Sequence, residues 1–462
     1  MSKPRPKKMT NPDAGAGMRR AVVVGAGLAG CEAAWQLARR GISVTLYDMK
    51  PARRSPAHHT DGYAELVCSN SLKSDALTNA AGLLKEELRR LGSLLIACAD
   101  AVRVPAGGAL AVDRDAFSAL VTERVRAHPL ITAQTKEVSA VPEPFAVVAT
   151  GPLTDGALAA DMERRFGKAL SFFDAACPIV TADSIDMDKA FFAARYDKGT
   201  PDYINCPMDE DEYTAFWQAL TTAECTEQKA FEREAFRVFE GCMPVEVMAK
   251  RGADTLRFGP LKPVGLRDPR TGRTPYAVVQ LRRDNSAGTL YNMVGFQTNL
   301  RFGEQKRVFS MIPALKNAEF VRYGVMHRNS FLHSPGILSD NYEVLDTPGL
   351  FFAGQITGVE GYVESIASGL CAGMALAARI AGKPPPRFPG TTVTGALARY
   401  ISDLSVRDFQ PMNSNFGIVD GLSERVRGKR ERYGRIAERA LADIDALRAR
   451  QRQIWGCALA AD

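Results

Sequence analysis

Apolar and polar positions follow two different textures along the chain. Ala21–Val24 is a short, unbroken apolar run, the pattern of a parallel strand buried on both faces. A glycine-rich turn follows. Gly30–Arg40 then reads as a helix ended by Gly41, and Ile42–Tyr47 as a second strand. Together they form one strand-helix-strand unit of about 30 residues. Helical spacing returns at Asp115–Ala127, in Phe117, Leu120, Val121 and Val125. Ala146–Ala149 predicts a further strand, closed by Thr150-Gly151-Pro152. From about Asp183 to Gly303 scattered aromatics, charges and Pro/Gly breaks replace this rhythm, which predicts an inserted domain. Leu350–Ala353 is again an apolar strand, Ser365–Ile380 a long apolar helix, and Lys429–Trp455 a Glu/Arg/Ala/Leu-rich helix.

Composition narrows the class. With 462 residues, 46% hydrophobic and 24% charged, the chain can bury a full core without disulfides or structural metals. A disordered chain, a fibre and a small cysteine-stapled domain are excluded. The net charge of +7 is modest and suits a polyanionic partner such as RNA without requiring one. The first 18 residues are basic and Pro/Gly-rich, and predict a disordered arm. The nine cysteines contain no CxxC pair, and the closest two are Cys225 and Cys242. An odd count without a secretory signal predicts free thiols in a reducing cytoplasm. The apolar stretch Ala21–Ala38 is interrupted by glycines and carries Glu32 and Gln36, so no membrane span is expected.

Gly25-Ala26-Gly27-Leu28-Ala29-Gly30 is a GxGxxG loop between a strand and a helix. Its first glycine allows the tight turn, its second a close approach to a pyrophosphate, and its third close helix–strand packing. The helix N-terminus then offers free N–H groups to the phosphates. Asp48, at the end of the second strand, is placed to accept ribose hydroxyls. No second phosphate loop follows, which argues against a separate nicotinamide domain. Val147-Val148-Ala149-Thr150-Gly151 resembles the strand-to-ATG segment of two-dinucleotide-type FAD folds. Phe352-Ala353-Gly354-Gln355 and Gly358–Gly361 resemble the second FAD contact of that superfamily. The expected fold is therefore α/β: a two-dinucleotide-type FAD-binding domain with a Rossmann-like parallel sheet, split by an inserted α+β domain. Its expected parts are 19–182, the insert 183–303, and 304–462 with the terminal helix. FAD is favoured over NAD as the resident cofactor.

Longer strings carry a more specific resemblance. They are Leu66-Val67-Cys68-Ser69-Asn70-Ser71-Leu72-Lys73-Ser74, Gly241-Cys242-Met243-Pro244-Val245-Glu246 and Gly354–Ser365. Asn292–Thr298, Arg322–Asn329 and Phe409–Gly417 join them. This set resembles the folate- and FAD-dependent tRNA (uracil-5-)-methyltransferase family from about Arg20 to the terminal helix. The family's usual acid after the second strand is Glu, where this chain has Asp48. The resemblance implies transfer of a methylene group from methylenetetrahydrofolate to carbon 5 of the T-loop uridine of tRNA. Reduction through FAD, with NADPH or NADH, would complete a methyl group. It also implies that Cys242 is the nucleophile and that Cys68 is a proton acceptor or a shield for the flavin. The chemistry asks for such groups, because carbon 5 of uracil becomes nucleophilic only after a thiolate adds to carbon 6, and a base must then remove its proton.

The other cysteines read as small buried hydrophobes. Tyr362 reads either as a ring stacked on the pterin or isoalloxazine or as a core aromatic, and Glu360 and Glu364 either as polarising groups or as helix caps. His58, His59, His327 and His333 have no metal-ligand spacing. Arg282-Arg283, Arg301, Lys306-Arg307 and Arg425–Arg435 are candidates for phosphate contacts, the last group reading more readily as a solvated helix face. The expected partners are tRNA, through its T-arm, and the small co-substrates, with no obligatory protein partner. Three rivals remain open: the longer flavoproteins that modify wobble uridines, a non-catalytic tRNA-binding flavoprotein, and a generic flavin amine oxidase.

Overall fold

The computed structural model describes residues 19–55, 57–167, 170–175, 177–226, 243–406 and 409–456, with no side-chain detail for 170–175 and 326–328. The expected arm at 1–18, Cys242 and Cys457 lie outside the described residues. Five parallel strands form the first sheet, in the order Leu350–Phe352, Ala146–Val148, Arg20–Val24, Ser43–Asp48 and Ile131–Thr135. Four of them are the strands expected from sequence.

The helix Leu28–Ala38 leaves the first strand, and the helix Tyr362–Ile380 packs across it. A Cβ on Gly369 would lie 2.2 Å from the Ala29 carbonyl oxygen, and one on Gly373 2.7 Å from that of Ala33. Hydrogen in place of a side chain is therefore what lets the two backbones meet. Tyr362–Ile380 is long and apolar enough to cross a membrane, and its residues are buried against this core.

The second sheet has six strands in antiparallel pairs. It begins at Ile179–Thr181 and ends at Phe320–Arg322, which pair with each other. The second hydrophobic core thus draws on residues from Val180 to Phe320, wider at both ends than the 183–303 stretch read from sequence. Strands of three residues leave too short a pattern to mark that edge. The segments Leu170–Ala175 and Met326–Phe331 run antiparallel to each other as the two crossings between the cores.

Two helices with no clear signal in the sequence brace the first core. Ala80–Arg90 buries Lys85 and Glu87. Lys85 Nζ donates to the carbonyls of Leu72, Ser74 and Ala81, fixing the strand Ser71–Ser74. Glu87 accepts from the N–H groups of Val393 and Thr394 and from the Thr394 hydroxyl, at the start of the helix Val393–Ser402. Burial raises the Glu87 carboxyl from 4.5 to about 7, against the pull of those three donors. Between these values the folded protein keeps a proton that the unfolded chain has lost, so stability falls as pH rises through this window. At 1.36 kcal/mol per unit the full effect is about 3 kcal/mol. The melting temperature is expected to drop between about pH 5 and pH 8, and this slope should flatten in Glu87→Gln. Equal slopes in both proteins would refute the assignment.

Candidate functional site

The first strand ends in a turn that only glycine enters easily. Gly25 has φ +99°, and a Cβ there would lie 2.5 Å from the Ala149 carbonyl oxygen. A Cβ on Gly30 would lie 1.7 Å from the Gly25 carbonyl oxygen. Gly27 is different: its Cβ would meet nothing within 4 Å. It faces a cavity of about 440 Å³ at the carboxyl ends of the parallel strands. No side chain caps the helix that starts at Leu28, so its first N–H groups are left for a ligand. This open cradle fits the pyrophosphate of a dinucleotide.

Gly25, Gly27, Leu28, Ala29, Asp48, Gly151, Gly354, Gln355, Gly361 and Tyr362 all line the cavity, as does Cys68. Ala26 and Gly30 lie behind its wall. Asp48 braces the glycine loop: Oδ2 accepts the Ala26 N–H at 2.7 Å and Oδ1 the Lys50 N–H at 2.9 Å. Each carboxylate oxygen keeps a second lone pair for a ribose hydroxyl.

Strings far apart in sequence converge here. Gln297, Asn329 and Asn413 line the same cavity. The Met412 N–H donates to the Gly358 carbonyl, and the Glu360 N–H to that of Met412. The described chain resumes after Cys242 at Met243. Two residues later Val245 donates its N–H to the carbonyl of Gln297, and Glu246 accepts from Thr298 and Asn299. Val245 and Glu246 are thus tied to the cavity wall through Gln297 and its neighbours.

Cys68 is the only cysteine among the described residues that lines the cavity. Burial raises the thiols of Cys98 to about 11 and Cys206 to about 12, and it raises Cys31 and Cys371 as well. Those four are inert packing groups, as the sequence reading expected.

Tyr362 performs a task that neither expected role names. Its hydroxyl oxygen accepts the N–H groups of Cys68 at 2.7 Å and Ser69 at 3.1 Å. Burial, and then the charge of a Cys68 thiolate, push its ionisation up and keep the phenol neutral. Glu360 lines the cavity and accepts from Gln355 Nε2 with both oxygens. Glu364 does not line it. That carboxylate is buried in the first turn of the long helix, paired with Lys73 Nζ at 3.0 Å and bonded to Ser414. Burial opposes its ionisation, but Lys73 and Ser414 outweigh it and hold the carboxyl below the usual range.

His58 lines the cavity and shares a 2.6 Å hydrogen bond with Ser55. His59 lies outside it and His333 packs against Phe409, while the His327 side chain is outside the described residues.

One expectation is overturned. Arg282 is no phosphate contact: it is 8% exposed and turned inward onto Ser69 and Asn70. Its strand is a middle strand of the second sheet, and the neighbouring Arg283 at the end of that strand is half-buried. Arg301 and Arg307 are exposed but paired with Glu224 and Glu304. The cations from Arg425 to Arg435 are exposed, and Lys429 and Arg432 flank the Tyr433 ring. Arg114, Asp284 and Arg322 escaped sequence reading, although Arg322 opens one of the family strings. Among the described residues no cluster of His, Cys, Asp or Glu could hold a metal.

Comparison with known proteins places this site in context. The family model for glucose inhibited division protein A (GIDA) matches residues 20–384. The methylenetetrahydrofolate–tRNA-(uracil-5-)-methyltransferase TrmFO of Acetivibrio thermocellus is 61% identical over 421 residues, 91% of this chain and 96% of its own. Those of Listeria innocua and Enterococcus faecalis are 58% and 56% identical, over 91% and 93% of this chain and 97% and 98% of theirs. Among solved structures, Aquifex aeolicus GidA in its form I crystal superposes with a TM-score of 0.67 at 15% identity, over 96% of this chain and 78% of that one. That likeness gives the FAD-fold architecture. The cavity, its glycine cradle and these identities together make the chain a member of the GIDA family, in the methylenetetrahydrofolate–tRNA-(uracil-5-)-methyltransferase group.

Proposed function

We infer that the protein methylates carbon 5 of a uridine in the T-arm of tRNA, taking the one-carbon unit from methylenetetrahydrofolate. The observation that carries this is identity of 56–61% to methyltransferases of that name across nearly the whole chain. FAD bound in the cradle would supply the two-electron reduction that turns the transferred methylene into methyl, with NADPH or NADH as the electron source. Gly25, Gly27 and the first turn at Leu28–Gly30 would hold its pyrophosphate, and Asp48 would take a ribose hydroxyl. Gly354, Gln355 and Gly361 of the second glycine-rich turn would help hold the flavin. Cys242 adds to carbon 6 of the uracil, and Cys68 accepts the proton that leaves carbon 5. The enzyme works in the cytoplasm, off the membrane and without an obligatory protein partner.

The test is an unmodified tRNA transcript incubated with the flavin-loaded protein, the folate and NAD(P)H, then digested to nucleosides for mass spectrometry. Folate-dependent 5-methyluridine supports the reading. A product confined to the wobble uridine, or none, refutes it.

RNA binding should be electrostatic, with the exposed arginines of 425–435 as the contact surface. The affinity for tRNA is expected to fall steeply with added salt. In Arg430→Ala/Arg435→Ala the slope of log K against log salt should shrink by about one for each lost phosphate contact. An unchanged slope would remove the terminal helix from the interface.

A further inference from the structure

Leu66–Asn70 has no strand or helix of its own, yet each of its residues is held. The Leu66 carbonyl accepts Arg114 Nη1 at 2.6 Å and the Val67 carbonyl accepts Arg322 Nη2 at 2.7 Å. The Cys68 and Ser69 N–H groups donate to Tyr362. Arg282 reaches Ser69 Oγ at 2.7 Å and Asn70 Oδ1 at 3.0 Å. Asn70 Nδ2 donates to the carbonyls of Val112 and Arg283. Arg282 and Arg322 come from the second sheet, and Arg114 and Tyr362 from the first core.

Neutral donors would satisfy these carbonyl and hydroxyl oxygens equally well. Instead three guanidiniums converge, two of them almost stripped of water. A buried cation needs an anion. The charged and titratable groups facing the loop are these three arginines, Asp284, Glu65, His59 and the neutral Tyr362. Asp284 is already bonded to Arg114 at 2.9 Å, and Glu65 to His59 and Thr60 backbone N–H groups. Cys68 is carried on the loop that this cage of cations holds, and as a thiolate it would bring a negative charge that the nearby Arg114 guanidinium favours.

We propose that Arg282 is a positioning residue for Cys68: with Arg114 and Arg322 it fixes the 66–70 backbone from across the boundary between the cores and sets the positive field in which the thiol works. This rests on the reading of Cys68 as the proton acceptor. Docking of the second sheet against the first core is thereby coupled to the state of the thiol.

The experiment is iodoacetamide alkylation of Cys68, located by peptide mass spectrometry, on the flavin-loaded full chain without tRNA or folate. It is run between about pH 6 and 9, around the ordinary thiol value near 8.5. Arg282→Gln keeps a donor and removes the charge. Arg282→Lys keeps the charge and loses the fork. The Gln variant is expected to alkylate roughly tenfold more slowly at neutral pH, with its midpoint moved up by about one unit. The Lys variant should recover most of that loss. Buried Cys31 and Cys206 must stay unreactive throughout, which reports an intact fold. A flavin-loaded Gln variant with the wild-type rate and midpoint would overturn the proposal. If Arg282→Gln does not fold, Arg322→Gln, which gives up one bond to Val67, is read by the same two outcomes. The assay contains no tRNA, so a wild type that fails to make 5-methyluridine yet shows Arg282-dependent reactivity would sink the function and keep the cage.

Discussion

Gly27→Val is expected to give a folded, colourless protein that binds FAD at least roughly a hundredfold more weakly, a loss of about 3 kcal/mol. Gly27 sits at φ −77° and ψ −169°, extended backbone that any residue adopts. A Cβ there touches nothing within 4 Å, so the apoprotein has no reason to change. The space it would fill is the mouth of the cavity in front of an uncapped helix N-terminus, where a pyrophosphate must come close to the backbone. Gly30→Val makes the contrast. Its Cβ would overlap the Gly25 carbonyl oxygen at 1.7 Å, a backbone atom that cannot step aside as a flexible side chain could. That variant should be destabilised or insoluble. Flavin absorbance per mole of protein, a titration of the apoprotein with FAD and a thermal melt distinguish the two. A yellow Gly27→Val protein would place the pyrophosphate elsewhere and withdraw the cradle.

The contrast between these two glycines also shows what a sequence can carry. A buried parallel strand, a glycine turn and the helix after it are local, so the first sheet and the cradle are legible within a few residues. The same apolar runs mark Ala146–Val148, which pairs with Arg20–Val24, and Leu350–Phe352, which pairs with Ala146–Val148 at the sheet edge. The long helix starts at Tyr362, three residues before the expected Ser365, because Gly361 at φ +119° makes the turn and frees Tyr362 to begin it. Ala80–Arg90 hides because Lys85 and Glu87 interrupt its apolar stripe, and the carbonyls and N–H groups that satisfy them come from other elements. The cage around Cys68 is the extreme case. Arg282 and Asn70 are 212 positions apart, and nothing near Arg282 distinguishes it from a surface cation. An arginine that looks like an RNA contact in one dimension is an internal brace in three. Family strings located Cys68, but only packing shows what holds it.

Cys242→Ala is expected to abolish methyl transfer, by at least about a thousandfold, while FAD and tRNA binding persist. The reason is chemical. Uracil carbon 5 attacks nothing until a nucleophile has saturated carbon 6 and turned the ring into an enolate, and alanine has no atom for that addition. Cys68→Ala should behave differently. Carbon 5 would still be activated, but its proton would have no acceptor at the cavity wall, so covalent tRNA–protein complexes should build up instead of product. The two variants separate on a denaturing gel with labelled tRNA: no shifted band for Cys242→Ala, a lasting one for Cys68→Ala. A shifted band in Cys242→Ala would transfer the nucleophile's role to another cysteine. Only Cys68 among the described cysteines stands at the cavity, so the double variant would then lose the band. Full turnover in Cys242→Ala would refute covalent activation by this thiol altogether.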